Sequence, residues 1–279
     1  MEVNSLTENL LFVTVRIDTV DAAGNTGSGT GFLISHQYKG NNLLSIVTNK
    51  HVVEGAVKYG MTFIKSENGQ PKLGDSFRID LENFENIWQG HPDKDIDITV
   101  MPLEPLLKLL KEQRNVNVFF RTISSQNIPS EEQIKSIDAL EEVVFVGYPN
   151  GIWDSKNFTP IMRKGTTATP FSLDFEGKKQ FIIDASVFGG SSGSPVFLIS
   201  SGLYADKTGK VVSGNRFFFL GVVTAVFVKR SVNEIVSLPI PTNAKSVVVD
   251  QEMIDLGIVF KSSTVIETIE HAFDKIGAW

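Results

Sequence analysis

The sequence predicts an all-β protein with two antiparallel β units in tandem and a helix at its C-terminal end. Three observations support this fold class. Short segments rich in β-forming residues recur between clusters of Gly, Asn, Asp and Ser. These segments fall into two series, separated by a stretch of helix formers and charged residues. The last residues of the chain carry apolar side chains at helical spacing.

Two series of β-type segments account for most of the chain. The first comprises residues 10–17, 31–35, 43–48, 61–65, 96–101 and 116–121. The second comprises residues 143–147, 161–169, 180–184, 195–199 and 216–228. Many short strands at regular spacing are typical of closed or nearly closed antiparallel barrels, so we expect each series to form one β unit.

Helical segments are expected between the two units and at the C-terminal end. Residues 105–114 contain good helix formers, and residues 123–141 mix turn residues with charges, so we place the linker in this region. Thr264 and Glu267 have the spacing of a capping box, and the apolar face that follows should dock on the second barrel. The predicted domains are residues 1–125, residues 126–245 and a helical extension over residues 246–279.

The composition narrows the functional classes. With 26 Lys and Arg against 32 Asp and Glu, the net charge is −6, which offers no basic field to nucleic acid. The absence of cysteine excludes disulfides, a thiolate nucleophile and thiolate metal ligands. No apolar segment approaches the roughly 20 residues that cross a bilayer, and the N-terminal residues lack the features of a signal peptide. We therefore expect a soluble, cytoplasmic protein with no membrane partner.

The segment GSSGSP at residues 190–195 has the first chemical signature. Glycines on both sides of a serine permit a tight turn that exposes its Oγ and aims successive N–H groups at one point. Ser192 is therefore a candidate nucleophile. Taken alone, the segment is also compatible with a plain Gly/Ser turn between strands.

A histidine follows the β-rich residues 45–50. A histidine can take up and return a proton near neutral pH, which makes His51 a candidate general base. A purely structural role is the alternative for this residue alone. His36 lies between strand and turn, His91 lies in a polar loop and His271 lies in the terminal helix, so none has comparable sequence context.

An acidic residue precedes an apolar strand near residue 97. A buried carboxylate there can orient an imidazole and stabilise the imidazolium that forms during catalysis. Asp93, Asp95 and Asp97 share one side of an extended segment, so all three are candidates. We prefer Asp97 because the small Thr99 follows it, whereas choosing Asp95 would place a charge where a small residue is expected. A surface acidic cluster is the alternative.

Four segments of the sequence resemble motifs of two groups of bacterial serine proteases. TNKHVV at residues 48–53 and GSSGSPVF at residues 190–197 resemble the histidine and serine motifs of glutamyl endopeptidases. DASV at residues 184–187 and GSGTGF at residues 27–32 are similar to segments of the high-temperature-requirement (HtrA) proteases. These agreements in sequence and order indicate a serine peptidase.

Two further segments resemble stand-alone bacterial trypsin-like peptidase domains, namely GYPNG at residues 147–151 and RKGT at residues 163–166. The order His, Asp, Ser along the chain is that of chymotrypsin-type enzymes and differs from the orders in subtilisin and the α/β-hydrolases. The resemblance covers residues 10–230 in ordered pieces. No segment resembles a PDZ domain, so an HtrA-type cage is not implied.

The resemblance implies two six-stranded antiparallel β-barrels of the chymotrypsin-like fold and a serine endopeptidase with an acyl-enzyme intermediate. Ser192 Oγ would attack a peptide carbonyl, His51 would transfer the proton and Asp97 would orient His51. Backbone N–H groups of Gly190 and Ser192 would hold the oxyanion. The implied partner is a protein or peptide substrate, and the mechanism requires no metal or organic cofactor.

The resemblance also implies where the substrate binds. Ser186 would occupy the floor of the pocket for P1, the residue on the N-terminal side of the scissile bond, where preference for Lys or Arg requires a carboxylate. Val223, Thr224 and Ala225 would form a wall and pair with the substrate backbone. Val223 stands where glutamyl endopeptidases have a histidine, so we expect small or medium apolar residues at P1.

Activation and alternative functions follow from the same resemblance. Ser191 stands where digestive relatives carry an aspartate that pairs with a newly cut N-terminus, so we expect no N-terminal processing. Two alternatives stay open. A catalytically silent relative would bind extended peptides at an exposed strand edge. A processing protease dedicated to one partner would keep the chemistry and narrow its use.

Overall fold

The computed structural model describes residues 1–82, 87–235 and 246–277. Its α-helices are α1 (Leu6–Leu10), α2 (Lys50–Val53), α3 (Glu104–Lys108), α4 (Glu131–Ser136) and α5 (Ser262–Ile276). Its strands are β1 (Thr14–Asp21), β2 (Thr26–Tyr38), β3 (Asn41–Thr48), β4 (Ala56–Glu67), β5 (Gln70–Glu82), β6 (Gln89–Gly90), β7 (Thr99–Pro102), β8 (Ile123–Ser124), β9 (Glu142–Gly147), β10 (Ile161–Thr167), β11 (Gln180–Asp184), β12 (Pro195–Ala205), β13 (Val211–Ile235) and β14 (Ser246–Lys261). Within the described ranges, none of the helices is long and apolar enough to cross a bilayer.

The first β unit is an eight-stranded sheet in the order β5-β4-β1-β2-β3-β7-β6, with β8 alongside β2. Neighbouring strands are antiparallel, except that β2 and β8 run parallel. The all-β class is confirmed, but over the described residues this order does not return from β6 to β5 as in a six-stranded barrel. Strands β6 and β8 have two residues each, too few to produce a sequence pattern, and charges with Gly and Pro interrupt β5.

The second β unit is a closed barrel of six strands in the order β10-β11-β14-β13-β12-β9, as the resemblance implied. Strand β14 closes it by pairing with both β11 and β13. The predicted helical extension is therefore wrong over residues 246–261, which form β14. Closure pairs the backbone groups of strands that would otherwise be exposed edges, and this favours strand over helix for the segment.

Strand β2 joins the cores of the two units because its side chains alternate between them. Phe32 and Ile34 pack in one cluster with Phe260 of the second barrel. Leu33 points to the opposite side and packs with Ile17 inside the first unit. Successive residues of a strand face opposite sides of the sheet, so one strand contributes to both cores.

Helix α5 is present as predicted, but it packs on both β units rather than on the second alone. Glu267 accepts a hydrogen bond from Lys179 of the second barrel at 2.7 Å, and Glu270 contacts His36 of the first unit at 3.1 Å. Its fully buried apolar face comprises Val265, Ile269 and Ala272. The helix therefore ties the two units together.

Three local expectations differ from the structure. Helix α1 precedes the first strand, which begins at Thr14 rather than at residue 10. Residues 116–121 lie outside the strands and contribute one isolated bridge to β4. Lys261 is the N-cap of α5 and makes no side-chain capping bond, so the expected box between Thr264 and Glu267 is not formed.

Candidate active site

His51 and Asp97 meet at one edge of the first β unit. His51 lies in α2 directly after β3, and Asp97 lies just before β7, which pairs with β3. His51 Nδ1 donates to Asp97 Oδ2 at 2.5 Å, and the backbone N–H of His51 donates to Asp97 Oδ1 at 3.1 Å. The pairing of β3 with β7 thus brings together residues 46 positions apart.

The carboxylate of Asp97 is held in its ionised form. Burial acts to raise its pKa, but the hydrogen bond and the charge of His51, together with the hydroxyl of Thr224, hold the pKa below its ordinary value. Thr224 Oγ1 donates to Asp97 Oδ2 at 2.8 Å. An ionised carboxylate only accepts hydrogen bonds, so the shared proton belongs to His51 Nδ1, and whenever the ring carries a single proton Nε2 is left as an acceptor.

Ser192 belongs to the second β unit, where it lies on the loop before β12. Its Oγ donates to the carbonyl oxygen of Thr224 at 3.4 Å. Among the hydrogen bonds of the described residues, none joins Ser192 to His51. Both residues border one cavity of about 400 Å³, which Gly190 also lines. Thr224 therefore contacts Asp97 through its side chain and Ser192 through its backbone.

The loop that carries Ser192 presents two backbone N–H groups without an acceptor. In the described part of the chain, neither the N–H of Gly190 nor that of Ser192 makes a hydrogen bond. The carbonyl of Gly189 accepts from the N–H of Asn150 at 2.5 Å, and the carbonyl of Gly190 accepts from the Thr30 hydroxyl at 3.1 Å. Two free N–H groups beside a serine can bind the oxygen of a tetrahedral intermediate.

Two glycines of this loop are required by its geometry. Gly190 has φ +77°, and a Cβ there would lie 2.6 Å from the carbonyl oxygen of Tyr148. Gly193 has φ +85°, and a Cβ there would overlap the carbonyl oxygen of Thr30. Only glycine adopts such positive φ values without strain, which explains why glycines flank the two serines.

Hydrogen bonds of Thr30 connect the Ser192 loop of the second barrel to the first unit. Its N–H donates to the carbonyl of Ser192 at 2.9 Å, and its own carbonyl accepts from the hydroxyl of Thr48 at 2.8 Å. Thr30 lies on β2, and β2 pairs with β3, the strand that precedes His51. The position of Ser192 is therefore set relative to the strand that delivers the histidine.

The remaining histidine and aspartate candidates lie elsewhere. His36 and His91 each contact a glutamate of α5, at 3.1 and 3.2 Å, and His271 is exposed on the same helix. Asp93 accepts a hydrogen bond from the backbone of Asp95, which is exposed. Across the described residues, no group of three or more His, Asp or Glu side chains is arranged to hold a metal ion.

The predicted substrate-binding residues lie in different environments. Ser186 is exposed, and its carbonyl accepts from Arg163 at 2.7 Å. Val223 is 1% exposed in the barrel core, and its backbone N–H and carbonyl are both bonded within the protein. Contrary to the prediction, it has no free group for a substrate. Thr224 is bonded to Asp97, and Ala225 is exposed.

Sequence reasoning did not assign three residues that shape this site. The hydroxyl of Thr224 serves Asp97, although the residue was predicted only as part of a pocket wall. Asn49 is fully buried and donates from Nδ2 to the carbonyl of Asp97 at 2.7 Å. Arg163 was noted only as part of the RKGT motif, with no role of its own. Of these three residues, only Asn49 has a local signal in the sequence, because it is a polar residue at the end of an apolar strand, just before α2.

Two β units with a His–Asp pair on one and a loop serine on the other form the chymotrypsin-like architecture. Residues 29–203 match the family described as the trypsin-like peptidase domain. This match covers more than half of the 279 residues and includes His51, Asp97 and Ser192. The chain therefore belongs to the trypsin-like peptidase domain family, and membership supports a serine protease. No curated protein sequence matches the chain.

Solved structures with which the chain aligns are distant in sequence. It is 16% identical to the Rv3671c protease of M. tuberculosis in its active form, over 98% of this chain and 84% of that one, with a TM-score of 0.48. It is 14% identical to the thermostable serine protease AL20 of an extremophilic microorganism, over 94% and 97%, with a TM-score of 0.47. It is 13% identical to the HtrA-type protease AlgW with a tripeptide, over 98% of this chain but 63% of that one, with a TM-score of 0.49.

Proposed function

We propose that the protein is a serine endopeptidase that hydrolyses peptide bonds through His51, Asp97 and Ser192 and an acyl-enzyme intermediate. The observation that carries this proposal is the position of Thr224. Its hydroxyl is bonded to Asp97 and its carbonyl to Ser192, so the His–Asp pair and the serine converge on one residue and border one cavity. Membership of the trypsin-like peptidase domain family supports the same chemistry.

The reaction would begin at Ser192. Its Oγ attacks the carbonyl carbon of the scissile bond while Nε2 of His51 takes the proton, and Asp97 stabilises the imidazolium that forms. His51 then gives this proton to the leaving amine as the C–N bond breaks. Water activated by His51 hydrolyses the resulting ester, which releases the acid product and restores the Ser192 hydroxyl. The proposed sequence needs only water as co-reactant.

Before this attack, Ser192 has to exchange its hydrogen bond. An O–H···O distance of 3.4 Å to Thr224 is far longer than the usual 2.7–2.8 Å, so the bond is weak. Catalytic hydrogen bonds are often long or poorly aligned until a substrate is bound. We expect the hydroxyl to turn from Thr224 to His51 when a peptide occupies the cavity.

The free N–H groups of Gly190 and Ser192 are the proposed oxyanion donors. Loss of one such donor costs on the order of 10²–10³ in kcat, or about 3 to 4 kcal/mol, in well-studied sites. The neighbouring carbonyls of Gly189 and Gly190 are occupied by Asn150 and Thr30. The loop therefore does not have to break these bonds to offer its N–H groups.

A catalytically silent peptide-binding relative is the second candidate function. The observation that favours it is that Ser192 bonds to Thr224, with no bond to His51 among the described residues. A peptide would then add as a strand along β13 without being cut. A protease dedicated to one partner would use the same site as the first proposal and differ in its substrates.

A fluorophosphonate probe separates the two candidates. We expect one probe molecule per chain on Ser192, because only an activated Oγ beside oxyanion donors is phosphonylated rapidly. Intact-mass measurement and peptide mapping read out the adduct. Ser192→Ala should stay unlabelled, whereas Ser213→Ala, an exposed serine of β13, should label at the wild-type rate. A folded wild-type protein that does not label would favour the silent binder.

We also predict small or medium apolar residues at P1. Ser186, the predicted pocket floor, has no carboxylate to pair with Lys or Arg, and the Arg163 guanidinium is bonded to its carbonyl. Two N–H groups of that guanidinium already donate to the loop, and Val223 stands where glutamyl endopeptidases have a histidine, so we expect no preference for an acidic P1. Fluorogenic peptides that differ only at P1 should show kcat/KM at least about 10-fold higher for Leu or Ala than for Lys or Glu. A profile led by Lys, Arg or Glu would contradict this assignment.

A further inference from the structure

A guanidinium lies directly behind the loop that carries Ser192. Arg163 of β10 donates from Nη1 to the carbonyl of Ser186 at 2.7 Å and from Nη2 to the hydroxyl of Ser191 at 2.9 Å. Its plane covers the ring of Phe145, with the guanidinium carbon 4.4 Å from the ring centre. One side chain thus forms hydrogen bonds with two residues of the loop and packs on a fully buried aromatic ring.

This cation has no carboxylate partner in the described part of the chain. Its Nε is buried and makes no hydrogen bond there. Burial lowers the pKa of Arg163 to about 10, so the side chain still carries its charge at neutral pH. A partly buried charge without a counter-ion is costly, and the loop oxygens are the acceptors that offset this cost. The charged side chain of Arg163 contacts the loop of the proposed nucleophile despite this desolvation cost, which indicates a role beyond packing.

Arg163 contacts the loop on both sides of Gly190, the first of the two proposed oxyanion donors. Ser186 precedes the loop, and Ser191 lies between Gly190 and Ser192. The Ser191 hydroxyl is fully buried and also accepts from the N–H of Phe188 at 3.2 Å, which extends the brace into the middle of the loop. Arg163 therefore holds the loop before Gly190 and again at Ser191, the residue between the two donor N–H groups.

We propose that Arg163 is a positioning residue that holds the oxyanion loop in its working conformation, so that the chain needs no newly cut N-terminus to form it. This inference rests on the proposed function. Hydrogen bonds from a charged donor are shorter and stronger than those between neutral groups, so a guanidinium can order a loop that neutral Ser191 could not order alone. Because the cation belongs to the barrel itself, the loop is ordered as soon as the barrel folds.

The test compares Arg163→Ala with Arg216→Ala. Arg216 is a second partly buried arginine of the same barrel, paired with Glu141 at 2.8 Å and stacked on Tyr204, so its loss also removes a partly buried guanidinium. For Arg163→Ala we expect kcat to fall about 100-fold with KM within about 3-fold of wild type, the pattern of a lost transition-state interaction. The labelling rate with fluorophosphonate should fall in parallel. Arg216→Ala should lower the melting temperature but leave kcat within about 3-fold.

Chemical rescue adds a readout that a purely structural role would not move. Millimolar guanidinium chloride should restore part of kcat in Arg163→Ala by filling the vacated position, and should leave Arg216→Ala unchanged. If Arg163→Ala does not fold, Arg163→Lys and Ser191→Ala take its place, with kcat expected to fall more than KM rises in both. A wild-type chain with extra residues before Met1 should be as active as one without them.

The outcomes separate this inference from the proposed function. A wild-type protein that neither labels nor cleaves would overturn the proposed function, and the positioning role with it. A wild-type protein that labels, together with an Arg163→Ala variant of unchanged kcat and labelling rate, would overturn the positioning role alone. So would activity that appears only after cleavage near the N-terminus, or a loss confined to KM, which would make Arg163 a substrate-binding residue.

Discussion

Replacing Ser192 with alanine is expected to lower kcat/KM for peptide hydrolysis on the order of 10⁴-fold or more while the protein stays folded. The substitution removes the proposed nucleophile, and with it the group that would form the acyl-enzyme. The fold should tolerate it, because the lost hydroxyl makes one long hydrogen bond, 3.4 Å to the carbonyl of Thr224. Hydrolysis of a fluorogenic peptide and of casein measures the loss, and thermal melting checks the fold.

The matched control for this variant is Ser213→Ala, which removes the same hydroxyl from an exposed position of β13. Its activity and melting temperature should stay at wild-type values. Retained hydrolysis by purified Ser192→Ala would refute the nucleophile assignment. Any small residual rate should come from the oxyanion donors and substrate binding, which the alanine leaves in place.

Local sequence patterns were sufficient where a strand is buried and bounded by turn residues. Residues 180–184 were predicted as a strand and form β11 with the same limits, and residues 143–147 differ from β9 by one position. Both segments are apolar runs beside Gly or Asp, so pattern and environment agree. Strand β14 was missed because its pairing with β11 and β13 is a property of the closed barrel rather than of its own residues.

The candidate site divides in the same way. Ser192 and His51 were found because a glycine-flanked serine and a histidine at a strand end are signals carried by a few adjacent residues. The contact between Thr224 and Asp97 joins positions 127 apart, and that between Arg163 and Ser191 joins positions 28 apart. Such contacts depend on how the two units pack, so no local pattern predicts them.

Replacing Asp97 with asparagine is expected to lower kcat on the order of 10⁴-fold, whereas Asp95→Asn should leave kcat within about 2-fold. The carboxylate of Asp97 accepts from the backbone N–H of His51, from its Nδ1–H and from the hydroxyl of Thr224. An amide keeps one acceptor oxygen, but its second oxygen is replaced by an NH₂ group, which only donates. At least one of the three N–H or O–H donors would then face this NH₂ group and lose its hydrogen bond. The tautomer with hydrogen on Nδ1 then loses its partner, and Nε2 of His51 no longer serves as the base.

Asp95→Asn is the matched control for this variant, because it removes the same charge two residues away, at an exposed side chain whose backbone N–H bonds to Asp93. Steady-state kinetics and fluorophosphonate labelling of the two variants measure the difference, with thermal melting to confirm that both are folded. Severe loss in Asp95→Asn with mild loss in Asp97→Asn would make Asp95 the partner of the histidine. Equal and mild effects in both would show that His51 acts without a carboxylate.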